Sequence, residues 1–312
     1  MEQKLDKKII LITRKTRIED LIARFNTVSQ AKFYIEHLGA DFRDYENEHK
    51  TYHDAVFKLE EELRRWAILH KIDRSFLPTY LFGPEDIIVA LGQDGLVANT
   101  MKYLSGQVVI GVNPDVSRWD GILLPFVVSD IPILMKNVVK KDRRFKEITM
   151  AKAELNNGQA LYAVNDIFIG PKSHTSARYS IDVNNKTENQ SSSGVIVSTG
   201  LGSTGWFKSI LEGATGIAGS LFSKPLNLKK KGNFPWDSKY LYFSVREPFP
   251  SKTTTASVVF GQVTQNSPLT LISHTPENGV IFSDGIEADF LEFNSGTKAV
   301  INIADKIGRL IV

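Results

Sequence analysis

The sequence predicts an α/β N-terminal domain built on a mostly parallel sheet, followed by a β-rich, mainly antiparallel C-terminal domain. Three observations carry that prediction. The runs Ile87–Leu91 and Val108–Val112 are apolar throughout, as strands buried on both faces are. Segments of helical periodicity separate these runs from each other and from Ile9–Ile12. After Arg144 the chain changes to short β-prone runs punctuated by turn sequences. A length of 312 residues suits two domains, since about 150 residues per domain is usual. The boundary is expected in the basic stretch Lys140–Phe145, giving domains 1–142 and 143–312, with the C-terminal tail returning to the first domain.

Ile9–Ile12 reads as a buried strand. A helix follows with Ala31, Tyr34, Ile35 and Leu38 on one face, Ser29 as its cap and Gly39 as its stop. A second helix carries the apolar stripe Val56, Leu59, Leu63, Trp66 and Ala67, with Glu60/Arg64 and Glu61/Arg65 as i,i+4 pairs on its outer face. The strand Ile87–Leu91 ends in Gly92-Gln93-Asp94-Gly95, and a helix is expected over Leu96–Leu104. The strand Val108–Val112 ends in Asn113-Pro114-Asp115; Asp130 then caps a helix with Pro132 in its first turn. Beyond the boundary, strands are expected at Ala160–Ile169, Val195–Thr199, Leu241–Val245, Val258–Val263 and Ala299–Ile303. Turns are expected at Asn156-Asn157-Gly158, Asn184-Asn185-Lys186, Glu277-Asn278-Gly279, Asp284-Gly285 and Asn294-Ser295-Gly296. A helix follows Gly205. Two stretches read as long loops: Asn184–Ser193, and Gly213–Phe234 with its Lys229-Lys230-Lys231-Gly232 run.

Composition removes several function classes. There is no cysteine, hence no disulfide, thiolate zinc site, iron–sulfur cluster or cysteine nucleophile. The net charge of +3 is small and evenly spread, so no nucleic-acid partner is expected; a pI of about 8.8 suits small phosphorylated ligands. No uncharged apolar run reaches the ~18–20 residues of a membrane helix, so no membrane partner is expected. Met1–Lys8 has neither signal-peptide nor transit-peptide character; a cytoplasmic location is the expectation.

Three motifs carry chemistry. Gly92-Gln93-Asp94-Gly95 joins a buried strand to a helix N-terminus, where glycines admit an anion and backbone amides attract it. A carboxylate in that turn suits a base or a metal-linked group; the same residues also suit an ordinary βα turn with an Asp N-cap. Ser198–Gly205 holds three glycines and several hydroxyls after a strand, a composition that lines phosphates or ribose, although it is neither a P-loop nor a G-x-G-x-x-G turn. Asn165-Asp166 interrupts an apolar strand with an amide and a carboxylate, a pairing that can read a purine edge and that also suits a strand-end turn. His49 and His53 are four apart with no third ligand evident and read as a surface pair; no metal ligands are assigned. His174 and His274 stand alone, and no G-x-S-x-G elbow is present.

Taken together and in order, these motifs resemble the NAD kinase family, which shares a superfamily with diacylglycerol and sphingosine kinases. Gly92-Gln93-Asp94-Gly95 is similar to its G-G-D-G turn, Asn165-Asp166 to its N-E/N-D pair, and Thr199–Trp206 to its glycine-rich T-x-x-G-S-T-A-[YW] turn. Gly111–Asp115, Asn165–Gly170, Ser192-Ser193-Gly194, Phe243–Pro248 and Ser283-Asp284-Gly285 resemble its mitochondrial-type branch. The resemblance implies ATP-dependent phosphorylation of the NAD 2′-hydroxyl to NADP, with ATP and Mg²⁺ required and a homodimer formed. It implies Asp94 as general base, with Gly92 and Gly95 in its turn and Asn113 at the neighbouring strand tip. It further implies adenine contacts from Asn165 and Asp166, ligand contacts from Gly202, Ser203, Thr204 and Ser209, and Trp206 as the terminal aromatic. Gln93 stands where the family has its second glycine, Leu96 where it has threonine, and Ser193 where general-type members have aspartate. The alternatives are a non-catalytic nucleotide-binding relative with a degenerate turn, or a kinase of another hydroxyl acceptor such as a lipid or small sugar.

Overall fold

A computed structural model describes residues 6–140, 143–222 and 233–312. The Lys229–Gly232 run and residue 142 of the expected boundary lie outside the described residues. The chain divides into two compact units, residues 1–146 with 309–312, and residues 147–308.

The first unit is ordered β1 (Lys8–Thr13), α1 (Arg17–Phe25), α2 (Val28–His37), α3 (Phe42–Trp66), β2 (Ile68–Asp73), β3 (Ile87–Leu91), α4 (Asp94–Met101), β4 (Val108–Asn113), β5 (Phe126–Val127) and α5 (Ile131–Val139). Its strands pair in parallel in the order β2-β1-β3-β4, with registers such as Ile9↔Leu69, Ile9↔Ile87 and Leu91↔Val112. The far side of β4 receives β5 and the last residues of the chain, also in parallel: Val112↔Phe126 and Leu310↔Val109. All five residues of β3 are buried, which is why the strand shows no alternation. Tyr52, Val56, Leu59, Leu63 and Trp66 of α3 pack on this sheet with Ile131, Met135 and Val138 of α5. Burying one such aliphatic side chain contributes about 1.5–3 kcal/mol.

Several local expectations are corrected. Thr27, not Ser29, caps α2, because its side chain accepts from the Gln30 N–H. Leu38 lies past the last helical turn and is exposed. Arg65 pairs with Glu62 rather than Glu61. Asp130 precedes α5, but its carboxylate accepts from the Val127 N–H instead of capping the helix. The helix after β3 begins at Asp94, not Leu96, and ends at Met101.

The second unit contains β6 (Phe145–Leu155, entering from the first), β7 (Ala160–Ala163), β8 (Asp166–Pro171), β9 (Ala177–Val183), β10 (Lys186–Ser192), β11 (Val195–Ser198), α6 (Trp206–Phe222), β12 (Leu241–Val245), β13 (Phe260–Val263), β14 (Leu269–Ser273), β15 (Gly279–Ser283), β16 (Ile286–Glu292) and most of β17 (Lys298–Ile311). One antiparallel sheet runs β13-β12-β11-β8-β15-β16. The series β10-β9-β14-β17 is antiparallel too, and β6 pairs with β17 and β7. Ile167, Ile169, Val195, Val197 and Phe243 share one core with Tyr179, Ile181, Leu269, Leu271 and Ile301. Asn184 and Asn185, both at positive φ (51° and 59°), make the β9–β10 turn; Asp284 and Gly285 (54° and 70°) make the β15–β16 turn.

One expected loop is largely regular structure, and the other begins inside a helix, with residues 223–232 outside the described residues. Asn184–Ser193 is a turn plus β10, an edge strand; its polarity, which reads as loop, suits an edge. Its buried Gln190 and Ser192 are satisfied by the Tyr179 hydroxyl, at 3.0 and 2.6 Å. Gly213 lies inside α6, which continues to Phe222; glycines inside the helix weaken its sequence signal. No helix among the described residues is long and apolar enough to cross a membrane.

Candidate functional site

The candidate residues fall into two groups, one in each unit. In the first, β3 delivers Gly92 at its carboxyl end and α4 starts at Asp94. Gln93 is the N-cap, at φ −110° and ψ 164°, an extended conformation open to any residue. No left-handed strain therefore attends the replacement of the family's second glycine. A Cβ at Gly92 would lie 2.9 Å from Leu96 Cδ2, the movable end of a side chain. Gly95 is exposed and has open space beside it.

Asp94 is half-buried, and its Oδ1 accepts from the Leu123 N–H at 2.6 Å. That donor is delivered by a chain of short-range constraints. Gly111 in β4 has no side chain where the Leu123 backbone passes; a Cβ there would sit 1.9 Å from Leu123 O. Asn113, almost fully buried, accepts from the Asp115 N–H at 2.9 Å and donates to Trp119 O at 3.0 Å. Its amide ties down the loop that leads to Leu123. Neither Leu123 nor the reason for Gly111 is legible from spacing alone.

A charged network at the end of β1 was also not anticipated. Arg14 donates to Glu48 at 2.9 Å, Arg17 to the other Glu48 oxygen at 2.6 Å and to Asp44 at 2.7 Å, and Arg118 pairs with Asp44. Arg118 also lies 3.8 Å from Asp115, so three guanidinium groups meet three carboxylates. Burial alone would raise the Glu48 carboxyl, but the two arginines outweigh it and hold it below the usual range. Hydrogen bonds from Arg118 and Arg17 hold Asp44 far below that range. Arg14 reaches the turn: its Cδ lies 3.7 Å from where a Gly92 Cβ would stand. Tyr52 joins the two, accepting from the Arg14 N–H at 2.9 Å and donating to Leu91 O at 3.0 Å. Burial pushes its hydroxyl up to about 12, so it remains a donor.

In the second unit three stretches distant in sequence converge. Thr199 donates its hydroxyl to Val164 O at 2.6 Å and its N–H to Asn165 O at 2.9 Å. Gly202 lies so close to Asn165 that a Cβ would fall 2.0 Å from Asn165 O, and Gly200 stands likewise against Pro235 O at 1.9 Å. From the third stretch, the Asp284 carboxylate accepts from the N–H groups of Val164 (3.0 Å), Asn165 (2.7 Å) and Asp166 (3.3 Å). This holds the Asn165–Asp166 backbone in one geometry. Asp166 itself is 8% exposed, and no donor among the described residues reaches its carboxylate. Burial, reinforced by the Asp284 charge, pushes it up to about 7. Asn165 is half-buried, and its side chain makes no hydrogen bond among the described residues.

The remaining candidates differ in availability. Ser203 is fully buried and donates to Gly200 O (2.7 Å) and Asn233 Oδ1 (3.2 Å), so its hydroxyl braces the turn. Thr204 is exposed, with a long bond to Leu201 O at 3.4 Å. Trp206 stacks on Phe168 (5.8 Å between centroids) with the Arg246 guanidinium 5.5 Å from its ring. Ser209 lies a turn further along α6, exposed, its hydroxyl 3.4 Å from Gly205 O. The expected His49/His53 surface pair acquires a third neighbour, Glu19.

A parallel α/β unit followed by a β-rich antiparallel unit is the architecture of the NAD kinases. In particular, the chain is similar to yeast NADH kinase complexed with NADH: 16% identity, TM-score 0.59, covering 98% of this chain and 83% of that one. It is also similar to an NAD kinase from Archaeoglobus fulgidus in complex with ATP: 14% identity, TM-score 0.55, covering 98% and 93%. The likeness is one of fold. No family model and no curated protein matches the chain.

Proposed function

We propose that the protein is an NAD kinase-like phosphotransferase, moving a phosphoryl group from ATP to the 2′-hydroxyl of NAD. The observation that carries this reading is the buried Asp166 carboxylate, left without a protein donor beside Asn165 and framed by the glycine-rich turn. Burial raises this carboxyl toward neutrality, and an adenine edge offers hydrogen-bond groups that match it. The two solved structures were determined with NADH and with ATP, which supports a nucleotide in this fold.

Asp94 takes the proton of the acceptor hydroxyl. The Leu123 amide fixes one of its oxygens, leaving the other for the acceptor. The amides at the start of α4 favour the phosphate charge that builds during transfer. Mg²⁺ fits this turn through phosphate oxygens and waters rather than a protein cage, since one Asp94 oxygen is already committed. When bound with the donor it neutralises phosphate charge. Asn165 and Asp166 hold adenine; Gly202, Ser203, Thr204, Trp206 and Ser209 line or brace the turn beside it. Asn113 acts by positioning Leu123 against Asp94. The extended backbone at Gln93 favours an active enzyme over a degenerate binder.

The test is direct. Purified protein with ATP, Mg²⁺ and NAD should form NADP at a rate that vanishes in Asp94→Asn. Nucleotide binding without turnover would establish the non-catalytic relative. Transfer to a lipid or sugar hydroxyl, but not to NAD, would replace the acceptor.

A further inference from the structure

We propose that Glu19, His49 and His53 form a binding site for a divalent late first-row transition metal, with Zn²⁺ the best chemical match. These residues are not among those assigned above to nucleotide binding or catalysis. His49 and His53 are one helical turn apart on α3, and their ring centroids are 4.4 Å apart. Glu19 is the third residue of α1, the helix packed against that face of α3. One potential ligand atom from each residue lies within 4.8 Å of the other two. His53 Nε2 lies 3.1 Å from Glu19 Oε1. Bonds of about 2.0–2.1 Å in a tetrahedral zinc site set ligand atoms about 3.3–3.4 Å apart. One edge of the tetrahedron is thus already near its length, and small side-chain rotations close the others.

The supporting contacts orient the ligands as metal sites require. Glu19 Oε2 accepts from the Thr16 N–H at 2.7 Å, the reciprocal half of a capping box, so its carboxylate is held while Oε1 faces the histidines. His49 Nδ1 lies 2.7 Å from the hydroxyl of buried Thr16. That contact holds the imidazole ring in place beside Glu19 and His53. Thr16 thereby serves two of the three ligands from one fixed position. The donor set, two imidazoles and one carboxylate, suits Zn²⁺ with a water in the fourth position. It does not suit Ca²⁺ or Mg²⁺, which take six or more oxygens. His53 is 46% and Glu19 34% exposed at the side chain, which leaves an open approach for the ion and its water. A bound ion would clamp α1 onto α3.

The test uses the untagged full chain, stripped with a chelator and titrated with Zn²⁺ near neutral pH by calorimetry. One ion per chain is expected, together with a raised melting temperature. His49→Ala and His53→Ala should each weaken binding by at least about tenfold. Glu19→Gln keeps an acceptor for the Thr16 N–H, so it should preserve the helix start by circular dichroism while losing affinity. Co²⁺ in the wild type should give the visible absorption of a four-coordinate site, absent in His53→Ala. Failure of the wild type to bind Zn²⁺ stoichiometrically, or equal stoichiometry and affinity in all three variants, would overturn the proposal.

Discussion

Asp94 and Asp166 are both candidate-site carboxylates, yet the two units prepare them differently. Asp94 stands at a strand–helix junction, half-exposed, and one amide 29 residues away orients it. Asp166 is almost wholly buried, and its backbone is held by groups 35 residues away (Thr199 on Val164) and 118 residues away (Asp284). The first arrangement leaves one carboxylate oxygen held and the side chain partly open to solvent. The second raises a carboxyl until it lies near neutrality, where a ligand's hydrogen bonds decide its state. The proposed roles, reactive for Asp94 and recognising for Asp166, rest on this difference in exposure.

The largest effect expected from breaking this contrast is Asp94→Asn, which should lower turnover by ~10²–10⁴ while leaving NAD affinity unchanged. Steady-state kinetics with calorimetry checks both parts, and wild-type turnover in the variant would remove Asp94 from the reaction. Next come two glycines. Gly111→Ala and Gly202→Ala each force a Cβ into a backbone carbonyl, at 1.9 and 2.0 Å respectively, and each should cost about 1–3 kcal/mol of stability. Their functional signatures should diverge. The first should lower kcat by shifting Leu123 away from Asp94, and the second should weaken adenine nucleotides by displacing Asn165. Identical signatures would mean that both glycines matter only to folding.

Replacing Asn165 or Asp166 with Ala should weaken adenine nucleotides by on the order of 1 kcal/mol each. Asp166 adds a pH dependence. Its folded pKa of about 7 lies above the ordinary carboxyl value, so its stabilising contribution is complete below pH ~4 and is lost as pH rises through about 7. At pH ~6 the free protein holds this proton. A ligand amino group that needs a carboxylate acceptor should drive it off, so calorimetry in buffers of differing ionisation enthalpy should register proton release. Asp166→Asn should abolish that release. The smallest effect is Gln93→Gly: activity should be nearly unchanged, because Gln93 already sits at negative φ, with about 0.5–1 kcal/mol of stability lost to backbone entropy. A tenfold rise in activity would show the glutamine to be inhibitory.

Read by itself, the sequence determined the fold class, the buried strands β3 and β4, the α3 stripe and the turns at Asn184-Asn185 and Asp284-Gly285. These features depend on periodicity and on residues that tolerate particular φ values, both of which are local. Polar β10 and the continuation of α6 past Gly213 were not legible, because the one depends on its partner Tyr179 and the other is weakened in sequence by its glycines, although the helix start after Gly205 was. Asp94, Asn165 and the glycine-rich turn were legible as motifs, but their working environments were not. Only the tertiary structure brought Leu123 to Asp94, Asp284 beneath Asn165-Asp166, Arg14 to Glu48 and Glu19 to the two histidines. In each case the contact joins residues 29 to 119 positions apart. Hydrogen-bond geometry and desolvation at such contacts follow from chain packing, which no local pattern records.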